Sequence, residues 1–306
     1  MTTQREGLSA MRRLRRVVTS MAFASLALAA VPVTAGAARY APSVIQVTAV
    51  YIAVGASESV GFQPTTAQPE GARTPTGYAS VAATTLRTTN PGLASINIGC
   101  PGATSASALV IDRCSRSMSQ LQRVVAVASQ FPDVPFYISI DLGFNDLRPC
   151  REANFKLPGC VDGAIASVRA NIATLVTKLR SSISNPLHFV GMTHDDPFVV
   201  RSLLGGQADI ATASVAAVNQ LNNTLTSTYS TLGIPVVDVA SLFSTGNTTP
   251  VPYPPFGFVT MEQARVCDWT WMCAATPFGP NIHMNNAGYA VVADALVKAL
   301  RVAGLR

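Results

Sequence analysis

The stretch Val44-Ile45-Gln46-Val47-Thr48-Ala49-Val50-Tyr51-Ile52-Ala53-Val54, followed by Gly55-Ala56-Ser57-Glu58-Ser59-Val60-Gly61, decides how this chain is read. Its first part is dense in β-branched residues and ends at a glycine, which reads as a buried strand. Outward from it, helix and strand patterns alternate. A helical stretch covers about 77–87 and a short strand 93–98. Two amphipathic helical stretches follow at 105–111 and 118–130, then a strand at 134–142. Ile165, Val168, Ile172, Leu175, Val176 and Leu179 recur at helical spacing from Val161 onward. A strand at 186–192, a long helix at 208–232, a strand at 234–239 and a final helix at 287–300 complete the series. This alternation is the pattern of a parallel sheet covered on both faces, so the expected fold is a three-layer α/β/α sandwich. Ligands of such sheets bind beyond the carboxyl ends of the strands.

The chain has 306 residues, 48% hydrophobic and 12% charged, with a mean hydropathy of +0.30. These values exclude a disordered or collagen-like protein. The net charge of +6 is concentrated at the start. Arg5, Arg12, Arg13, Arg15 and Arg16 precede the uncharged run Val17–Val31, and Ala35-Gly36-Ala37-Ala38 forms a small-residue cleavage pattern. Residues 1–38 are therefore expected to be a signal peptide. The run is shorter than the roughly 20 residues that span a bilayer, and Pro32 closes it, which disfavours a retained anchor. Without that leader, five Arg and Glu6 are lost and the net charge falls to +2, too little for a nucleic-acid surface. Residues 39–306 show no linker or repeat and read as one domain.

Six cysteines in an exported chain suggest three disulfides. None forms a CxxC and no histidine lies near them, so a metal site is disfavoured. Fifteen connectivities are possible; the local pairs 100–114, 150–160 and 267–273 are favoured.

The segments after the strands hold the candidates for chemistry. Gly55 permits a tight turn that exposes the Ser57 hydroxyl at a strand-to-helix handover. Gly102, in Gly99-Cys100-Pro101-Gly102, can present a bare backbone N–H. Asn145, in Gly143-Phe144-Asn145-Asp146, can aim its amide into the same crevice. Together with Ser57 these make a possible three-donor oxyanion hole, although Gly and Asn also serve as ordinary turn residues. Of the three histidines, His188 lies in an apolar strand, His194 could bind substrate or organise a turn, and His283 is the best general base. Asp141 could support the site or satisfy a buried turn. The Pro-rich segment Thr248–Phe258 could form a pocket rim or a stiff surface connection.

As a set, Ser57, Gly102, Asn145 and His283 resemble the four block residues of the SGNH (GDSL-type) esterase/lipase superfamily. Val54 to Gly61 resembles the first block, Asn97 to Gly102 the second, Ile140 to Leu147 the third and Asn281 to Tyr289 the last. The cysteine placement and Trp269-Thr270-Trp271-Met272-Cys273 look like its secreted actinobacterial branch. The resemblance implies a flavodoxin-like fold and metal-independent hydrolysis of carboxylic esters; with the leader and the cysteines, a secreted or envelope protein without a cofactor is expected, as a monomer. In that scheme His283 deprotonates Ser57, and Ser57 N–H, Gly102 N–H and Asn145 Nδ2 hold the oxyanion. The sequence departs from the family pattern in two ways. Ala56 stands where the first block usually has Asp, and Pro280 and Asn281 stand where an Asp usually orients the histidine. The Pro280 carbonyl is the favoured substitute orienter, with Asn281 and Asp268 as further candidates. The missing carboxylate also motivates an alternative, a non-catalytic envelope lipid- or glycan-binding protein that keeps the fold.

Overall fold

The computed structural model describes residues 46–306, so the signal peptide expected at residues 1–38 lies outside the described residues. Strand β1 (Ala49–Gly55) is buried along its whole length. It begins five residues later than the pattern of β-branched residues suggests. Its partners set that limit, because β2 (Leu93–Asn97) and β3 (Phe136–Asp141) pair with it in parallel only from Ala49 and Val50 onward. Strands β4 (Leu187–Met192) and β5 (Val236–Val237) extend the sheet, giving the order β2-β1-β3-β4-β5 with every pairing parallel. This order reverses direction between β1 and β3, and the crevice at such a switch point is where doubly wound sheets bind ligands.

Alternation along β1 divides the core in two. Val50, Ile52 and Val54 pack toward α2 (Gln120–Ala128), α4 (Cys160–Ser182) and α5 (Ala208–Thr231). Ala49, Tyr51 and Ala53 pack toward α1 (Tyr78–Arg87) and α8 (Asn286–Val302). The six apolar residues read at helical spacing in α4 are all buried, each contributing about 1.5–3 kcal/mol by leaving water. The result is the expected α/β/α sandwich, with short α3 (Arg148–Glu152) and α6 (Val239–Leu242) in the connections.

Two segments differ from the sequence reading. Residues 105–111 form turns rather than a helix. The Ser107 hydroxyl accepts from Thr104 N–H, and the Thr104 hydroxyl accepts from Ser107 N–H. Side chains thus take backbone donors that a helix would use, and the Ser105 N–H is drawn to Asp146. The segment 248–258 contributes to an antiparallel hairpin, β6 (Pro250–Tyr253) and β7 (Gly257–Thr260), whose prolines are tolerated because each strand is an edge. After it come α7 (Met261–Trp269) and a second small pair, β8 (Thr270–Trp271) with β9 (Asn281–Met284).

Three disulfides join the expected neighbours, Cys100–Cys114, Cys150–Cys160 and Cys267–Cys273. No helix among the described residues is long and apolar enough to cross a membrane.

Candidate active site

Ser57 lies two residues beyond β1, in a turn closed by Phe62 N–H donating to the Ser57 carbonyl at 3.0 Å. The turn is fixed from several directions. Gln120, at the first position of α2, receives Gly55 N–H at 3.0 Å and donates to Gly55 O at 2.9 Å. Asn97 donates to the Ser59 carbonyl, and a Cβ on Gly99 would overlap the Ser59 hydroxyl. Gly99 is therefore needed for close approach rather than for its backbone angles.

Gly102 has φ +78°, a left-handed conformation that favours glycine. Asn145 sits on a single 3₁₀ turn (Phe144–Leu147) directly after β3, and its Nδ2 donates to the Ala103 carbonyl at 3.2 Å. Asp146 ties the same two loops together by accepting from Ser105 N–H at 2.8 Å and Ser105 Oγ at 2.6 Å. The loop after β2 and the turn after β3 are thus one hydrogen-bonded unit.

His283 belongs to β9, whose hairpin with β8 precedes α8. Asn285 caps that helix, accepting from Ala287 and Gly288 N–H, and its amide also donates to the Asp268 and Thr270 carbonyls. The ring packs 4.9 Å from Phe62, which follows the Ser57 turn. Its Nδ1 lies 2.6 Å from Asn281 Oδ1, which also accepts the His283 backbone N–H at 3.1 Å. An amide oxygen can only accept, so this contact places the proton on Nδ1 and leaves Nε2 as a lone pair. The favoured Pro280 carbonyl is therefore corrected to the Asn281 side chain, whose two-residue offset lets it fold back over its own strand. Asp268 instead accepts from Tyr253 at 3.0 Å. Burial lowers the His283 pKa to about 4, with the positive charge of Arg151 adding to the effect.

Ser57, Gly102, Asn145 and His283 line one cavity of about 200 Å³. His188 is elsewhere, stacked on Tyr137 at 4.7 Å across the β3–β4 pair. His194 lines the cavity, but both ring nitrogens are engaged: Nδ1 is 3.6 Å from Asp141 and Nε2 is 3.2 Å from the Leu142 carbonyl. A carbonyl only accepts, so Nε2 carries the proton there and the Nδ1 side faces Asp141 rather than a serine. Asp141 accepts from Tyr78 at 2.9 Å, and burial raises its pKa against the opposing effect of His194.

Several site residues were not anticipated. Glu58 and Asp195 also line the cavity, each with a buried carboxylate oxygen that lacks a hydrogen-bond partner. Burial pushes Glu58 well above the usual carboxylate range and Asp195 up to about 7, with neighbouring carboxylates adding to both. Arg113 and Arg148 lie at the cavity wall. Strand-end position could have flagged Asp195, but nothing local marks Gln120, whose partner is 65 residues away. The hairpin over 250–260 does not line this cavity.

The family model of GDSL-like lipases and acylhydrolases matches residues 53–291, which span all four of these positions. The chain belongs to that family. Solved structures agree with this GDSL-like protein in fold. An aryl esterase of M. smegmatis superposes with a TM-score of 0.50 at 14% identity, covering 83% of this chain and 99% of its own. A phospholipase A1 from Streptomyces albidoflavus NA297 gives 0.55 at 16% identity, covering 84% and 100%. An extracellular lipase from Streptomyces rimosus gives 0.53 at 17%, covering 82% and 99%. Among curated proteins, none matches this GDSL-like chain by sequence.

Proposed function

We propose that this protein is a secreted serine hydrolase that cleaves carboxylic esters through an acyl-enzyme on Ser57. One observation carries the reading: a serine, a bare glycine N–H, an asparagine amide and a histidine with an unprotonated Nε2 line a single cavity at the sheet's switch point. His283 Nε2 takes the Ser57 proton as Oγ attacks the ester carbonyl. The resulting oxyanion is held by the N–H groups of Ser57 and Gly102 and by Asn145 Nδ2. The imidazolium returns its proton to the leaving alcohol. Water, activated by the same ring, then releases the acid. Asn281 acts as a positioning residue that fixes the tautomer, without the negative charge that a carboxylate would supply. The three disulfides and the leader expected at residues 1–38 support an exported protein.

The alternative, a non-catalytic envelope protein binding lipid or glycan, draws on the same amide at Asn281 and on the low basicity of His283. A panel of short- and long-chain p-nitrophenyl esters separates the two. Turnover that vanishes in Ser57→Ala supports the hydrolase. A folded protein that turns over none of the panel supports the binder.

A further inference from the structure

The cavity wall beside Gly102 is basic. Arg113 and Arg148 both line it, and one Nη atom of each lies 3.1 and 3.2 Å from the point where a Cβ on Gly102 would sit. Two guanidiniums therefore converge over one bare Cα, next to the N–H assigned to the oxyanion. They arrive from different elements. Arg113 precedes Cys114 in the loop closed by the Cys100–Cys114 bridge and donates to the Pro101 carbonyl. Arg148 opens α3, directly after the 3₁₀ turn that carries Asn145. One turn further along α3, Arg151 stacks 5.0 Å from Phe144 and 5.3 Å from Phe198, close enough to Arg148 to feel its repulsion.

None of these three cations has a carboxylate within 4.0 Å among the described residues. Among the described residues, the four pairs within 4.0 Å involve Arg123, Lys156, His194 and Lys298 instead. The carboxyls in the same cavity, Glu58, Asp141 and Asp195, all have pKa values raised by burial, which weakens them as counter-ions. Arg113 and Arg148 are exposed, so water screens part of their mutual repulsion, and an anion between them would turn the rest into attraction. The planar guanidinium is the side chain best matched to a carboxylate or phosphate.

We propose that Arg113 and Arg148 form an anion subsite beside the oxyanion hole, so that the preferred substrates are esters bearing a carboxylate or phosphate a few bonds from the scissile carbonyl. This rests on the ester-hydrolase reading. The anion can reach the subsite from the acyl part or from the alcohol part, and two matched pairs of substrates distinguish these. Mono-p-nitrophenyl succinate against p-nitrophenyl butyrate tests the acyl side. Monobutyryl glycerol phosphate against monobutyrin tests the alcohol side.

In at least one pair, kcat/KM for the anionic ester should exceed that for the neutral ester by tenfold or more. That ratio should fall roughly tenfold in Arg113→Gln and in Arg148→Gln, the loss of one charge-assisted hydrogen bond. Added salt should compress it. Arg301→Gln, exposed on α8, should leave the ratio unchanged. Ratios near one in both pairs, or ratios that neither substitution moves, overturn the proposal. If no ester is turned over, the hydrolase reading fails separately, and titration of inorganic phosphate into the Ser57→Ala protein by calorimetry decides the subsite alone. Binding that weakens at least tenfold when Arg148→Gln is added supports it; equal binding, or none, overturns it.

Discussion

Replacing Asn281 by Asp should convert an oriented but weakly basic histidine into a stronger one. The Asn281 Oδ1 lies 2.6 Å from His283 Nδ1, so a carboxylate there would face the ring directly. With charge centres about 4 Å apart and an effective dielectric near 20, the attraction for the imidazolium is about 4 kcal/mol, equivalent to roughly 3 pKa units. Part of this is offset. Asn281 is only half-buried, so water screens part of the attraction. A net rise of about 1–2 units remains. The His283 pKa of about 4 places the acid limb of the wild-type kcat/KM profile near that pH, since activity is lost as the base protonates. In Asn281→Asp the limb should move up to roughly pH 5–6. On the alkaline plateau kcat should rise roughly ten- to hundredfold, less than the ~10⁴ effect of the reverse change in a serine protease triad. The assay is the pH dependence of p-nitrophenyl butyrate hydrolysis. A limb that stays in place with kcat unchanged would refute the assignment of Asn281 as the group that orients the base.

Asn145→Ala removes one oxyanion donor and should lower kcat by about 10²–10³ with little change in KM, as measured on the same ester. Gln120→Ala leaves Gly55 N–H and C=O without their side-chain partner in a buried place. It should cost about 1–3 kcal/mol, seen in calorimetry as a Tm lower by about 3–8 °C. Burial raises Asp195 and Asp196 to about 7, so the folded chain holds protons there that the unfolded chain releases near pH 4. Stability from these two carboxyls is therefore lost as pH rises from about 4 to about 7. His283, with its pKa lowered to about 4, acts in the opposite sense between about pH 6.5 and 4. Two carboxyls outweigh one imidazole, so Tm should fall from pH 5 to pH 7.5, and Asp195→Asn should flatten that fall; an unchanged slope would contradict the burial of its charge.

The fold was legible because its signals are local. β1, α4 and α8 each announce themselves by β-branched density or by apolar spacing, and the structure places them within a few residues of expectation. Residues 105–111 misled because Thr104, Ser105 and Ser107 carry hydroxyls that compete for backbone donors, which an apolar periodicity does not register. The hairpins over 250–260 and at Thr270–Trp271 with Asn281–Met284 are too short for a period to show.

For the candidate site, Ser57, Gly102, Asn145 and His283 stood out at strand ends and helix starts only as a set, through their resemblance to the SGNH blocks. The contact of His283 with Asn281 was harder to see, because a residue two places away in a strand normally points along the same face without bending back to meet its neighbour. Arg113, Arg148 and Gln120 escaped notice for another reason. Their meaning lies in which distant loop each one faces, and one sequence does not show that.

The most direct measurement is covalent. The folded wild-type protein, treated with an alkyl organophosphonate and mapped by peptide mass spectrometry, should carry a single adduct on Ser57. His283→Ala should form that adduct far more slowly, because the serine has lost its base. An adduct on another residue, or none while ester turnover persists, would contradict Ser57 as the nucleophile.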